Sequence, residues 1–391
     1  MVARPRRILP LIIIAQHFGS SSWFAGNAVA PALIDTWSLP TESLAWITNS
    51  VQLGFICGTL IFALLSIADR FSPSRLFFVC AVVSALLNIA TSFAVKSILP
   101  LLIVRFLIGV CLAGIYPVGM KIAASWYPEG MGRALGYLVG ALVLGTALPH
   151  LVAFSPLIQW QSVFILISVI NLIGGLVVLL GVGDGPARAK SHRLQLRMIS
   201  SLIKVKKLRC SAFGYFGHMW ELYAVYTIAP IWFVAWGSHS SYQLNISLIS
   251  FVVIAVGSLG CMIGGILSTK VGSPNVAVFT LSVSGVCCLI SPIIFDQGII
   301  LVLLFWVIWG MSVAADSPQF SSLSAQNAPA GGVGTALTLI NSIGFSLTVL
   351  SIQLLVMISA WIPIQYAVWL LAPGPLLGVL AMQPLLRTNA R

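Results

Sequence analysis

"GVCLAGIYP" (Gly109 to Pro117) and "GMSVAADSP" (Gly310 to Pro318) lie 201 residues apart and share the frame G-x-x-x-A-x-x-x-P. Pro128 and Gly130 meet Pro329 and Gly331 at the same distance. Phe18 and Gly19 meet Phe216 and Gly217 at 198, and Ala30 and Pro31 meet Ala229 and Pro230 at 199. Matches at a nearly constant offset, between segments of the same order, indicate one unit duplicated in parallel orientation.

The composition says what kind of unit this is. Of the 391 residues, 59% are hydrophobic and 7% charged, far outside the range of water-soluble domains. Twelve apolar runs are long enough to cross roughly 30 Å of hydrocarbon. They cover 8–34, 43–65, 76–95, 98–124, 133–155 and 160–182 in the first half. In the second they cover 210–236, 244–267, 276–295, 298–325, 332–358 and 361–383. The runs lack the ten-residue alternation of a membrane β-barrel, so an all-α integral membrane protein of two six-helix halves is expected. The domains are then 1–183, a basic linker 184–209, and 210–391.

The net charge of +12 admits a nucleic-acid partner, but its distribution argues against one. With the N-terminus inside, Arg4, Arg6, Arg7, Arg70, Arg75, Arg133, Lys270, Arg387, Arg391 and the eight Lys/Arg from Arg188 to Arg209 all face one side. Only Lys96 faces the other. This positive-inside bias predicts a multi-pass protein of the bacterial inner membrane with both termini cytoplasmic. The apolar stretch after Arg7 runs too long for a cleavable signal and reads as the first span. Trp37, Trp46, Trp160, Trp232, Trp236 and Trp361 fall near predicted outer ends, as an interfacial belt would place them. The segment "LRMISSLIKVKKL" (196–208) fits an amphipathic helix on the inner surface. Seven Cys without C-x-x-C spacing read as packing residues.

The loop "SIADRFSPSR" (Ser66 to Arg75) and the span-4 stretch "RFLIGVCLAG" (Arg105 to Gly114) resemble signatures of the major facilitator superfamily. Asp69, Arg70 and Arg75 match the loop, with Ser66 and Ser72 where glycines would stand. Arg105 and Gly109 match the helical element, with Ile108 where Gln would stand. In "GYLVGALVLGTALPH" (Gly136 to His150) the Gly136 and Gly145 spacing resembles the proton-antiporter motif, but Leu148-Pro149-His150 replaces its Gly-Pro end. The resemblance implies two six-helix bundles that rock about a central site lined by spans 1, 4, 7 and 10. It also implies that Asp69, Arg70 and Arg75 form a cytoplasmic gate.

Ionisable side chains at membrane depth are costly, roughly 2.5–3.5 kcal/mol each on insertion scales, so each needs a reason. Arg105 falls roughly 10 Å into span 4, either as a fixed cation for an anionic substrate or as a clamp on backbone carbonyls. In "GYFGHMWELYAVY" (Gly214 to Tyr226), His218 and Glu221 share a helical face near mid-membrane, as a proton-exchanging pair or a hydrogen-bonded packing pair. Asp316 precedes Pro318 and serves as either a proton site or a cap at a kink. His17, Asn27, Trp220 and Asn341 complete the candidate substrate contacts. In the repeat, Ser20 and Trp23 occupy the places of His218 and Glu221, Trp306 that of Arg105, and Ile115 that of Asp316. The charged groups thus appear in one half each, the pattern expected of a chemically asymmetric path.

The chain contains no Gly-x4-Gly-Lys-Ser/Thr loop, no HExxH and no Gly-x-Ser-x-Gly. The expected function is a monomeric secondary transporter of a small organic anion, proton-coupled and cofactor-free, and not an enzyme. An exporter of amphipathic compounds is the alternative within transport, and a non-transporting receptor the alternative outside it.

Overall fold

A computed structural model describes residues 7–127, 131–187, 204–240, 242–329 and 332–388. The chain divides into two compact units, Met1–Leu194 and Gln195–Arg391. No strand occurs among the described residues. In the first unit the spans are Ile8–Trp37, Ser43–Leu64, Pro73–Ala94, Ile98–Trp126, Met131–Val152 and Trp160–Val182. In the second they are Lys206–Ser240, Ile246–Val271, Ser273–Phe295, Ile299–Asn327, Val333–Ser359 and Ile364–Leu386. Eleven of these are long and apolar enough to cross a membrane; the remaining one is span 7, Lys206–Ser240, which carries His218 and Glu221 in its first half. Side chains such as Phe93 and Ile300, exposed by 71% and 72%, present the apolar outer surface that lipid requires.

Backbone contact at glycine holds each unit together. In the first, spans 2 and 4 cross so closely that a Cβ on Gly54 would lie 1.9 Å from the Phe106 carbonyl oxygen. A Cβ on Gly109 would lie 2.2 Å from that of Val51. In the second unit spans 8 and 10 repeat the arrangement, with Gly310 against the Val253 carbonyl at 2.2 Å. Small residues at such crossings let helices gain dispersion contact where lipid provides no hydrophobic drive. Gly109→Ala is expected to destabilise the protein by about 3 kcal/mol, because the obstacle is backbone and cannot turn aside. Gly298→Ala, with open space around it, should be neutral in the same thermal-unfolding assay.

Several spans are interrupted where the sequence suggested continuous helix. Span 1 is helical over Ile8–Gly19, makes one 3-10 turn at Ser20–Ser22 and resumes over Ala25–Trp37. Span 4 breaks between Ala113 and Tyr116, just before Pro117. Span 10 breaks at Asp316, with Pro318 two residues on. Proline lacks the N–H that would bond the carbonyl four residues back, here Ala314. The Cys261 thiol takes that place, donating to the Ala314 oxygen at 3.1 Å.

At the predicted inner edge of the first unit, Lys121 Nζ donates to Asp69 Oδ1 and, at 2.8 Å, to the Ala68 carbonyl. Arg70 and Arg75 are exposed. The first residues of the expected linker 184–209 dock on the first unit, where Asp184 Oδ1 accepts the Ser74 N–H at 2.8 Å. Its residues 188–203, and with them most of the proposed amphipathic segment, lie outside the described residues. The aromatic belt needs correction. Trp46 and Trp361 are exposed, but Trp232 and Trp236 are fully buried, and Trp232 Nε1 donates to Ser291 Oγ at 3.1 Å.

Candidate functional site

The interruption in span 1 gathers the polar groups of the first unit. The interruption turns the Ser22 and Trp23 carbonyls toward span 4. Arg105 Nη2 donates to both, at 2.8 Å to Ser22 and 2.5 Å to Trp23. Around the same turn, Ser22 Oγ accepts from Ser84 Oγ (3.1 Å), Asn88 Nδ2 (2.8 Å) and Asn171 Nδ2 (2.8 Å). Spans 3, 4 and 6 therefore all grip span 1 at one point. Arg105 is fully buried, and its Nε and Nη1 find no hydrogen-bond partner among the described residues. Nε lies beside Gly26, where a Cβ would come within 3.0 Å of it. The guanidinium thus clamps the two carbonyls through one nitrogen and keeps two further donor nitrogens unpartnered among the described residues.

The second unit holds a matching centre built on Glu221. Its Oε1 accepts from Ser284 Oγ (2.5 Å), Trp309 Nε1 (2.8 Å) and Cys288 Sγ (3.2 Å), while Oε2 has no partner among the described residues. Ser84 and Ser284, and Asn88 and Cys288, are each 200 residues apart, so spans 3 and 9 make the same approach in both halves. Ser22 is therefore the counterpart of Glu221, at offset 199, rather than Trp23. This corrects the view that the acid has no equivalent: the polar centre is duplicated, and only its carboxylate is confined to one half. The sequence offered the signal in the Ser84/Ser284 match, which the spans' apolar surroundings hid.

His218 does not pair with Glu221 although they share a helical face. Its Nδ1 lies 2.8 Å from Asp316 Oδ1, outside hydrogen-bond geometry but within ion-pair distance. Ser317 Oγ lies 2.6 Å from Nε2, and the direction of that bond follows the imidazole tautomer. The Tyr215 and Phe320 rings, both centred 5.8 Å from the imidazole, complete its surroundings. The break in span 10 is what brings Asp316 and Ser317 to His218. From Glu221 an aromatic stack runs on through Trp309 and Trp306 (centroids 4.9 Å apart) to Trp232 (5.4 Å from Trp306).

The remaining candidates scatter. Asn27 Nδ2 donates to Thr48 Oγ1 at 2.6 Å and leaves Oδ1 without a partner among the described residues. His17 is half-buried, with Nδ1 likewise unpartnered. Trp220 points into its own unit, donating to the Leu370 carbonyl at 2.9 Å where span 12 is interrupted. Asn341 is half-buried on span 11. Lys121, Ser284 and Trp309 carry much of this chemistry and were not among the residues singled out in the sequence.

A family model described as Major Facilitator Superfamily matches residues 8–352. The chain belongs to that superfamily. Among curated relatives, the niacin transporter NiaP of Acinetobacter baylyi is 31% identical over 160 residues, 38% of this chain and 32% of that protein. A probable sulfoacetate transporter, SauU of Cupriavidus necator, is 22% identical over 264 residues, 63% of this chain and 60% of that protein. The matched region thus spans about a third of the niacin relative's length. Among solved structures, a bacterial homologue of the human lysosomal transporter Spinster, in an inward-facing and unoccupied conformation, superposes with a TM-score of 0.69. It is 14% identical, over 98% of this chain and 95% of that one, so the likeness is one of fold.

Proposed function

We propose that this superfamily member is a secondary active transporter of small organic anions, working by alternating access and coupled to protons. The observation that carries the reading is Arg105, a buried guanidinium held by one nitrogen and left with two donor nitrogens that find no partner among the described residues. A cation held in place in a low-dielectric setting favours a carboxylate or sulfonate strongly over a neutral analogue. Two of the relatives fit this chemistry, since niacin and sulfoacetate both carry a carboxylate. Asn27 and His17, on the interrupted span that Arg105 clamps, are the nearest candidates in sequence to join it, and Asn341 is a further one. His218 and Asp316 are the groups assigned to the proton. Asp69, Arg70 and Arg75 are assigned to the cytoplasmic gate, with Lys121 holding Asp69. The positive-inside bias supports cytoplasmic termini in a bacterial inner membrane, and the protein is taken to work as a monomer.

The test pairs acids with their neutral amides. Nicotinate and other small carboxylates or sulfonates should raise the thermal-unfolding midpoint of the purified protein, and nicotinamide should not. Ligands that stabilise should then enter proteoliposomes. Equal stabilisation by the acid and its amide would remove the anion reading.

A further inference from the structure

Span 2, Ser43–Leu64, turns polar side chains toward span 1, and they are unequally satisfied. Thr48 and Phe55 fix the register between the two helices. Asn27 Nδ2 donates to Thr48 Oγ1 at 2.6 Å, and the Phe55 ring packs on Trp23 with centroids 4.9 Å apart. Gln52 stands four residues after Thr48 and three before Phe55, so it shares their helical face and falls level with Ala25 and Gly26. Arg105 lies at that level too: a Cβ on Gly26 would meet Ile47 Cγ2 at 2.7 Å and Arg105 Nε at 3.0 Å.

Gln52 is fully buried, and neither its Nε2 nor its Oε1 finds a hydrogen-bond partner among the described residues. A buried amide in that condition costs stability, and a methionine or leucine of similar size would avoid the cost. Asn27 adds an acceptor whose orientation is fixed. Thr48 Oγ1 donates its hydrogen to the Leu44 carbonyl at 2.8 Å, so it can only accept from Asn27. The Asn27 amide must therefore present Nδ2 to Thr48, which leaves Oδ1 as a buried acceptor with no donor among the described residues. Two amide oxygens and one amide nitrogen thus stand unpartnered on the elements that hold Arg105 Nε and Nη1. A bare carboxylate answers donors alone; the two oxygens call for a ligand that brings a hydrogen of its own.

We infer that the anion carries a hydroxyl group, which donates to an amide oxygen of Asn27 or Gln52 and accepts from Gln52 Nε2, so that small hydroxy acids are the substrate class. The inference rests on the reading of Arg105 as the anion's partner, and it makes Gln52 the residue that selects among anions. A site built to hydrogen-bond a hydroxyl rejects the analogue that lacks it, because the buried polar groups are then left unpaired.

The experiment reads the thermal-unfolding midpoint of the full-length protein in detergent during titration with benzoate, benzamide, meta- and para-hydroxybenzoate, propionate and lactate. At least one hydroxy acid should reach half-maximal stabilisation at about a tenfold lower concentration than its parent acid, the upper worth of one net hydrogen bond. Without ligand, Gln52→Met and Gln52→Leu should unfold at or above the wild-type midpoint, since each removes a buried amide that has no partner among the described residues. With ligand, both should lose the tenfold preference, the hydroxy acid falling to the level of its parent. A glutamine that serves packing alone gives the opposite pattern, a lower midpoint in both variants with the preference unchanged, and that result would overturn the inference. Equal response to hydroxy and parent acids, with benzoate still ahead of benzamide, would overturn it while leaving the anion reading in place. Equal response to benzoate and benzamide would remove the anion reading and this inference with it.

Discussion

Lysine in place of Arg105 should leave the first bundle folded and lower anion uptake about a hundredfold, whereas alanine should cost both the fold and uptake. The difference follows from how the guanidinium is used. Nη2 bonds the two carbonyls beside the interruption at Ser20–Ser22. Hydrogen bonds to charged groups contribute about 1.5–3 kcal/mol each, so alanine, which removes both bonds, should cost about 3–5 kcal/mol. A lysine ammonium has three donors and can serve both carbonyls. It cannot also present a second and third nitrogen at fixed geometry, as Nε and Nη1 do. Lysine should therefore lower uptake at subsaturating substrate by about a hundredfold, the equivalent of one lost charged hydrogen-bond pair. Proteoliposome flux, compared with the unfolding midpoint of the same preparation, separates the two effects. Wild-type flux in the lysine variant would reduce Arg105 to a structural clamp.

The architecture was legible because it rests on bulk properties. Twelve apolar runs, a constant repeat offset and one-sided basic residues are each sums over many positions, and no single side chain can reverse them. Interruptions within spans were less legible. Pro117 and Pro318 mark two of them in the sequence, but the break at Ser20–Ser22 carries no proline and depends on Arg105 from another span to stabilise its carbonyls. Helix propensity and hydropathy do not see a partner eighty residues away.

The site was legible in its residue types and much less in its pairings. His218, Glu221, Asp316 and Arg105 stand out because ionisable groups are rare in such surroundings. Which of them meet is decided by tertiary geometry. Helical spacing put His218 with Glu221, but the kink at Asp316 gives His218 a partner from span 10, and Glu221 turns to spans 9 and 10. Ser284 and Trp309 were overlooked for the opposite reason: serine and tryptophan are ordinary inside membrane helices. Only their convergence on one carboxylate oxygen makes them notable.

That division of partners separates two roles the sequence left joined. With one proton carried per solute, a pH gradient of one unit drives about tenfold accumulation, since about 1.4 kcal/mol corresponds to a factor of ten. Asp316→Asn should abolish that accumulation while leaving exchange of labelled for unlabelled solute intact, because exchange needs no net proton movement. Glu221→Gln should behave differently. The glutamine oxygen can still accept from Ser284, Cys288 and Trp309, and its nitrogen replaces an Oε2 that has no partner among the described residues. Accumulation should persist in that variant, at a stability cost of about 1 kcal/mol. Glu221→Ala removes the acceptor that Ser284, Cys288 and Trp309 share and should cost about 4 kcal/mol. The reverse pattern, in which Glu221→Gln loses accumulation and Asp316→Asn retains it, would move the proton from the His218–Asp316 pair to Glu221. The duplicated centre would then be a scaffold in the first half, where Ser22 stands, and a coupling site in the second.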